Sequence, residues 1–187
     1  MTTIFRKIFL FFVLFLAISF FVFSQNIEDA EKVFFDYMDN LYNAKYEDAF
    51  SNILPNDLIE YKNGIVPIFL KLYDSGHVEL IQIANSILSS EGENIKPETL
   101  MKNIMENSPN IKILQAMDPK ISIFNCYYND DNNLVIEYEM IINESHMTLK
   151  DYVILTFYNE RWYLKINNIN STVEQLEKLI KSIIIYY

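Results

Sequence analysis

Apolar residues first recur at helical spacing from Ala30, with Val33, Phe34, Tyr37, Met38, Leu41 and Tyr42 on one face of a helix that Asn26 can cap. The same rule holds for Tyr46, Ala49, Phe50, Ile53 and Leu54, and Pro55 is expected to stop that second helix. Asn43 to Lys45 join the pair. Leu58 to Tyr73 is apolar but mixed in period, and Pro67 argues against a long regular element there, so a strand pair stays open. From His77, the spacing of Val78, Ile81, Ala84, Ile87 and Leu88 predicts a helix ending in the polar Ser89 to Asn94. Pro97 opens a short helix with Leu100, Met101, Ile104 and Met105 inward, and Ser108 to Asn110 is expected to end the helical half.

The period then changes from 3.6 to 2. Leu134, Ile136, Tyr138, Met140 and Ile142 alternate with Glu137 and Glu139, as in a strand with one buried face. Tyr152 to Tyr158 and Arg161 to Asn167 flank Asn159 and Glu160. A tight turn there sets Phe157 opposite Trp162, Leu155 opposite Leu164, Val153 opposite Ile166, Tyr158 opposite Arg161 and Thr156 opposite Tyr163. One face of this hairpin is then wholly apolar, an agreement that pins its register. Ile121 to Tyr128 predicts a preceding strand. Pairing Tyr128 with Asn133 puts Ile121, Ile123, Asn125 and Tyr127 on the buried face beside Met140, Tyr138, Ile136 and Leu134, with Cys126 pointing away. Ser171 and Glu174 form a capping box for a terminal helix carrying Leu176, Leu179, Ile180, Ile183 and Ile184, whose last turn the β-branched Ile183 to Ile185 should weaken.

Helices followed by a strand meander define an α+β class, with N-terminal helices packed on a curved antiparallel sheet and a C-terminal helix. The runs EDAEKVFFDYMDNLYNAKYEDAFSNIL, VIEYEM and YVILTFYNERWYLKI resemble the nuclear transport factor 2-like superfamily, the cystatin-like roll found in many exported bacterial domains. Lys45 to Phe50 echo its aromatic-alanine second helix, and Arg161, Trp162 and Tyr163 its aromatic final strand. Leu58 to Tyr73 lacks the hairpin usual at that point, the Val78 to Asn107 segment is enlarged and the terminal helix is extra. The resemblance implies a conical cavity between the sheet and the helices, used for hydrophobic ligands, for isomerase- or cyclase-like enzymes, or only as core. Asn125, Tyr127 and Tyr138 are its expected polar lining, with Tyr37, Tyr42 and Tyr46 contributing from the helices. The bland alternative is that these tyrosine rings are simply core.

Residues 1–24 change the picture of where the chain works. Arg6 and Lys7 precede the uncharged run Ile8 to Phe23, and Val22, Phe23 and Ser24 place compact residues ahead of Gln25, so a signal peptide cleaved after Ser24 is expected. A single domain over 25–187 follows, periplasmic or secreted and without a membrane span. An uncleaved N-terminal anchor is the alternative. Cleavage takes the formal charge from −10 to −12, because Arg6 and Lys7 are the only charges removed. Such a chain is repelled by nucleic acid and anionic lipid. One cysteine, Cys126, allows no internal disulfide.

The chemistry candidates are few. Isomerase- or dehydratase-like catalysis needs a carboxylate in the cavity, yet Glu137 and Glu139 are expected outward and Asp36 and Asp39 on the polar side of the first helix. His77 and His146 lack companions at ligand spacing, so no metal is expected. The Asn129 to Asn133 run lacks the distal glutamate of an EF-hand and is expected to be a polar loop. Asn143 and Asn170 lie in glycosylation sequons. No cofactor is expected. The leading expectation is a non-catalytic exported domain that binds a small apolar molecule or a protein partner, with homodimerisation open. A further alternative is an interaction module using Tyr152, Ile154, Tyr158 and Tyr163 on the outer sheet face, unless the terminal helix covers them.

Overall fold

A computed structural model describes residues 27–130, 132–142 and 147–186. The signal segment, Asn26, Asn143 and His146 lie outside the described residues. Residues 27–42 form α1, whose Ala30, Phe34 and Met38 are buried as their spacing requires. The chain reverses at Ala44, in the left-handed region at φ +57°, and enters α2 (Tyr46–Phe50).

Pro55 does not stop this helix. α2 has already ended at Phe50, and Pro55 instead occupies the first turn of α3 (Pro55–Asp74), where its missing N–H has no helical partner to lose. The stretch left open is therefore one helix of 20 residues, with no strand pair. Pro67 is tolerated because it and Asn63, whose carbonyl it leaves unbonded, both face solvent, while Ile65, Ile68, Phe69 and Leu72 bury the other side. α4 (Val78–Leu88) and a 3₁₀ segment (Ser89–Asn94) lead into α5 (Pro97–Asn107). The helical half does not end at Ser108 to Asn110. Pro109 repeats the opening device of Pro55 and Pro97 and starts α6 (Pro109–Met117), which Asp118 closes in the left-handed region.

The sheet is an antiparallel meander of β1 (Lys120–Tyr128), β2 (Asn133–Ile142), β3 (Met147–Tyr158) and β4 (Arg161–Leu164). Between β3 and β4, Asn159 and Glu160 take φ +49° and +63°, the pair of left-handed residues that a two-residue hairpin turn demands. The four pairs from Tyr158 with Arg161 to Leu155 with Leu164 form as expected. The fifth, Val153 with Ile166, does not. Lys165 N–H still reaches Ile154 O at 2.8 Å, and the Ile166 amide, which points away from β3, donates to Asp57 Oδ2 at 2.9 Å; β4 ends at Leu164, although the side chains of Val153 and Ile166 still pack on the core. On its other edge β4 is held by the α2–α3 link, through Leu54 N–H to Leu164 O at 2.9 Å and Leu164 N–H to Asn52 O at 2.8 Å.

β1 departs from its expected register. Ile121 pairs with Met140 and Ile123 with Tyr138 as foreseen, but an irregularity at Phe124 brings Asn125 to Glu137, Cys126 to Ile136 and Tyr128 to Leu134. One extra residue inverts the faces beyond it. Cys126 and Tyr128 therefore turn inward, and Asn125 and Tyr127 turn out.

α7 (Ile169–Tyr186) begins before the foreseen box, with Thr172 N–H bonded to Asn168 O, so Ser171 is a first-turn residue rather than the cap. The helix runs through Ile183 to Ile185 in spite of their branching. It docks on α3, where Gly64 faces Val173 and Lys71 Nζ meets Glu177 Oε1 at 2.8 Å. Two apolar cores result, one of α1, α2 and the sheet, the other of α3, α4, α5 and α7. No described helix is long and apolar enough to cross a membrane.

Candidate functional site

On the core-facing side of the sheet, parity along β2 and the face of α1 bring Tyr138, Tyr37 and Tyr42 together. Tyr138 is buried against the Phe34 ring at 4.9 Å between centroids. Burial, followed by the charge of Asp151 and by Tyr42 and Tyr37, holds its hydroxyl well above the ordinary tyrosine range. Burial and then Tyr42 push Tyr37 up to about 12, and burial raises Tyr42. Three neutral hydroxyls result, none poised to give up a proton near neutral pH. Tyr42 Oη donates to Met140 Sδ at 3.0 Å.

The other three expected pocket residues lie apart. Tyr46 is buried beside Phe50, and its hydroxyl accepts from Gln115 Nε2 at 3.1 Å. Asn125 and Tyr127 are corrections: the irregularity at Phe124 puts both on the outer face, where Asn125 Nδ2 donates to Glu137 Oε2 at 2.9 Å. Glu137 and Glu139 do face outward as expected. The carboxylate missed was Asp151, which pairs with Tyr138 in β3 and so shares its inner face, at a solvent-exposed edge. Its odd-numbered parity with Val153 and Leu155 carried that signal.

Burial, then the charge of Glu31, pushes the Cys126 thiol up to about 11, so it is a poor nucleophile near neutral pH. His77 stands at the start of α4, and among the described residues no three His, Cys, Asp or Glu side chains gather as a metal site. Asp130 spends its carboxylate on the loop itself, accepting from the Asn132 and Asn133 amides at 3.0 and 2.9 Å.

Open space lies elsewhere. Between α3, α4, the α5–α6 junction and α7 runs a groove of about 880 Å³, walled by Leu72, Leu80, Ile87, Ile104, Leu176 and Ile180. Ile83 and Leu179, 48% and 56% exposed, stand at its edge, while Ser86, Asn107, Ser108 and Thr172 are its polar points. The signal for it was apolar residues beyond one helix face: Ile83 falls outside the inward set of α4, and α3 is apolar on several sides.

No family model matches the sequence, and no curated protein matches it. Among solved structures, the chain is similar to a Campylobacter jejuni protein whose assignment as an NTF2-like transpeptidase is provisional, at 12% identity, with 73% of this chain and 97% of that one covered and a TM-score of 0.39. The shared shape is partial, and the transpeptidase assignment stays with that protein. What this chain's own coordinates establish is the α+β order of N-terminal helices, four-stranded antiparallel sheet and C-terminal helix.

Proposed function

We propose that this chain is an exported, non-catalytic binding domain of the nuclear transport factor 2-like kind that holds a small apolar molecule in the groove of its helical layer rather than beneath its sheet. The groove carries this reading. Its volume of about 880 Å³ lies within the roughly 300–1,000 Å³ of ordinary ligand sites. Its wall is aliphatic with a few polar points, the mixture that binds by burial and orients by a few hydrogen bonds.

A neutral naphthylamine dye, N-phenyl-1-naphthylamine, tests it by fluorescence titration. The parent chain should bind the dye, and Ile83→Ser with Leu179→Ser should weaken it by about fivefold or more, since together they remove at least about 1 kcal/mol of apolar contact. Both side chains are about half exposed, so the variants should still fold. Equal affinity in parent and double variant excludes the groove.

The outer sheet face supports a second reading, a protein partner. Phe124, Tyr127, Tyr152 and Tyr158 are all exposed there, and α7 sits on α3 instead of covering them. Tyr127→Ser with Tyr152→Ser should abolish any self-association seen by sedimentation velocity if a second copy is that partner.

A further inference from the structure

A second pocket, of about 480 Å³, opens between the last turns of α1 and the junction of α6 with β1. Two carboxylates, Asp39 and Asp118, stand in its wall with the amide side chains of Asn43 and Gln115 and the rings of Phe35 and Tyr42. Among the described residues, no lysine, arginine or histidine lines it.

The side-chain donors in this wall are already spent. Asn43 Nδ2 donates to the Asp39 carbonyl at 2.9 Å and to Asp39 Oδ1 at 3.0 Å. Gln115 Nε2 donates to Leu41 O at 2.9 Å and to Tyr46 Oη at 3.1 Å. The Tyr42 hydroxyl donates to Met140 Sδ, so this residue offers the pocket its ring. What remains for a ligand is acceptors, namely two carboxylates and two amide oxygens, beside aromatic carbon. An anion would meet like charge here, and a neutral ligand could donate a hydrogen bond but would leave the two carboxylates without a counter-charge. A cation carrying N–H donors on a short apolar stem complements every part of this wall.

We propose that this pocket is a binding site for a small primary organic ammonium ion, with Asp39 and Asp118 as its counter-charges and Phe35 as the ring against its stem. This proposal is independent of the apolar groove. The ammonium belongs either to a free amine or to an ethanolamine headgroup on a lipid. Because the pocket is open to water, the free amine should bind with a Kd on the order of millimolar.

The test is a titration of the isotope-labelled mature chain with n-butylammonium, followed by amide NMR shifts at Phe35, Asn43 and Gln115. The neutral alcohol 1-pentanol, one carbon longer, is run beside it. Butylammonium should move these signals and pentanol should not. Asp39→Asn and Asp118→Asn should each weaken binding about three- to fivefold, and Phe35→Leu by about threefold. All three positions are exposed, and unchanged melting of each variant certifies that the fold persists. Sedimentation with phosphatidylethanolamine vesicles, displaced by butylammonium and absent with phosphatidylcholine, would assign the ammonium to a headgroup. Sedimentation with neither, alongside the NMR shifts, would assign it to a free amine. Equal shifts from pentanol, undiminished affinity in the doubly substituted Asn variant, or shifts confined to other residues would each overturn the site.

Discussion

Around the sheet, Phe34, Tyr138 and Trp162 pack among aliphatic side chains on the core-facing side, whereas in the helical layer Leu80, Ile87 and Ile180 line a groove of about 880 Å³ that stays open. Both cores are apolar, but the first buries the rings of Phe34, Tyr46, Phe50, Tyr138 and Trp162, and the second, among the described residues, that of Phe69. Spacing separates them further. Strands lie about 4.8 Å apart, and their cross-strand neighbours meet row by row, so large rings on alternating positions leave little space between them. Helix axes stand about 8–10 Å apart and depend on side-chain bulk to fill the gap. Here Ala84 lies on the buried side of α4, and Ser86, Ser108 and Thr172 stand in the groove wall. Beneath the middle of the sheet rings fill the space, and the pocket of about 480 Å³ lies at its edge between α1 and β1, whereas the helical layer keeps a larger groove between its helices.

The largest effect that separates the two cores is expected at Leu155, fully buried between β2 and β4. Leu155→Ala should cost about 2–5 kcal/mol in urea unfolding, because the packed rows around it cannot collapse into the gap. Ile83→Ala at the groove edge should cost no more than about 0.5 kcal/mol, as for a surface position. Equal losses at the two sites would erase the contrast.

A smaller effect tests whether the groove's own wall is rigid. A Cβ at Gly64 would stand 2.6 Å from Val173 Cγ2, so α3 and α7 touch with no room for a methyl group. Alanine is the better helix former by about 1 kcal/mol, while the overlap costs about 1–3 kcal/mol. Gly64→Ala should therefore destabilise the chain by about 1 kcal/mol in denaturant unfolding, and adding Val173→Ala should restore it. A stabilised single variant would mean that α7 yields and the groove is soft.

Particular residues show what was readable in the sequence. The Asn159 and Glu160 hairpin was, since its turn length and the chemistry of its faces agree. So were α1 and the inward row of β2, where one period persists long enough to leave no alternative. The irregularity at Phe124 was not, for nothing local distinguishes a strand with one extra residue, and it misplaced Asn125 and Tyr127 together. Pro67 misled because a proline on a solvent-facing position costs little once the opposite face is buried. The capture of the Ile166 amide by Asp57, 109 residues away, is a tertiary event that no strand pattern encodes. Of the expected pocket residues, Tyr37, Tyr42 and Tyr138 meet as packing, and Tyr42 also lines the pocket between α1 and β1. The groove escaped because it arises between helices whose individual faces look ordinary.

The smallest effect at neutral pH belongs to Tyr37, and its value lies in pH. The folded chain holds the Tyr37 proton to about 12, above the ordinary 10.0, through burial first and Tyr42 second. An unfolded chain gives up that proton earlier, so the contribution of Tyr37 to stability is fully present below about pH 10 and is lost as the pH rises through about 12. Tyr138 and Tyr42 are raised in the same direction and act in the same core. Tyr37→Phe should therefore unfold like the parent near neutral pH and lose stability less steeply between about pH 9 and pH 12, read by urea unfolding together with tyrosinate absorbance. If the alkaline fall is as steep in the variant, the Tyr37 hydroxyl already meets water and the sheet core is not full at that point. The space beneath the middle of the sheet would then be open after all, and the preference for the helical groove as the ligand site would lose its physical ground.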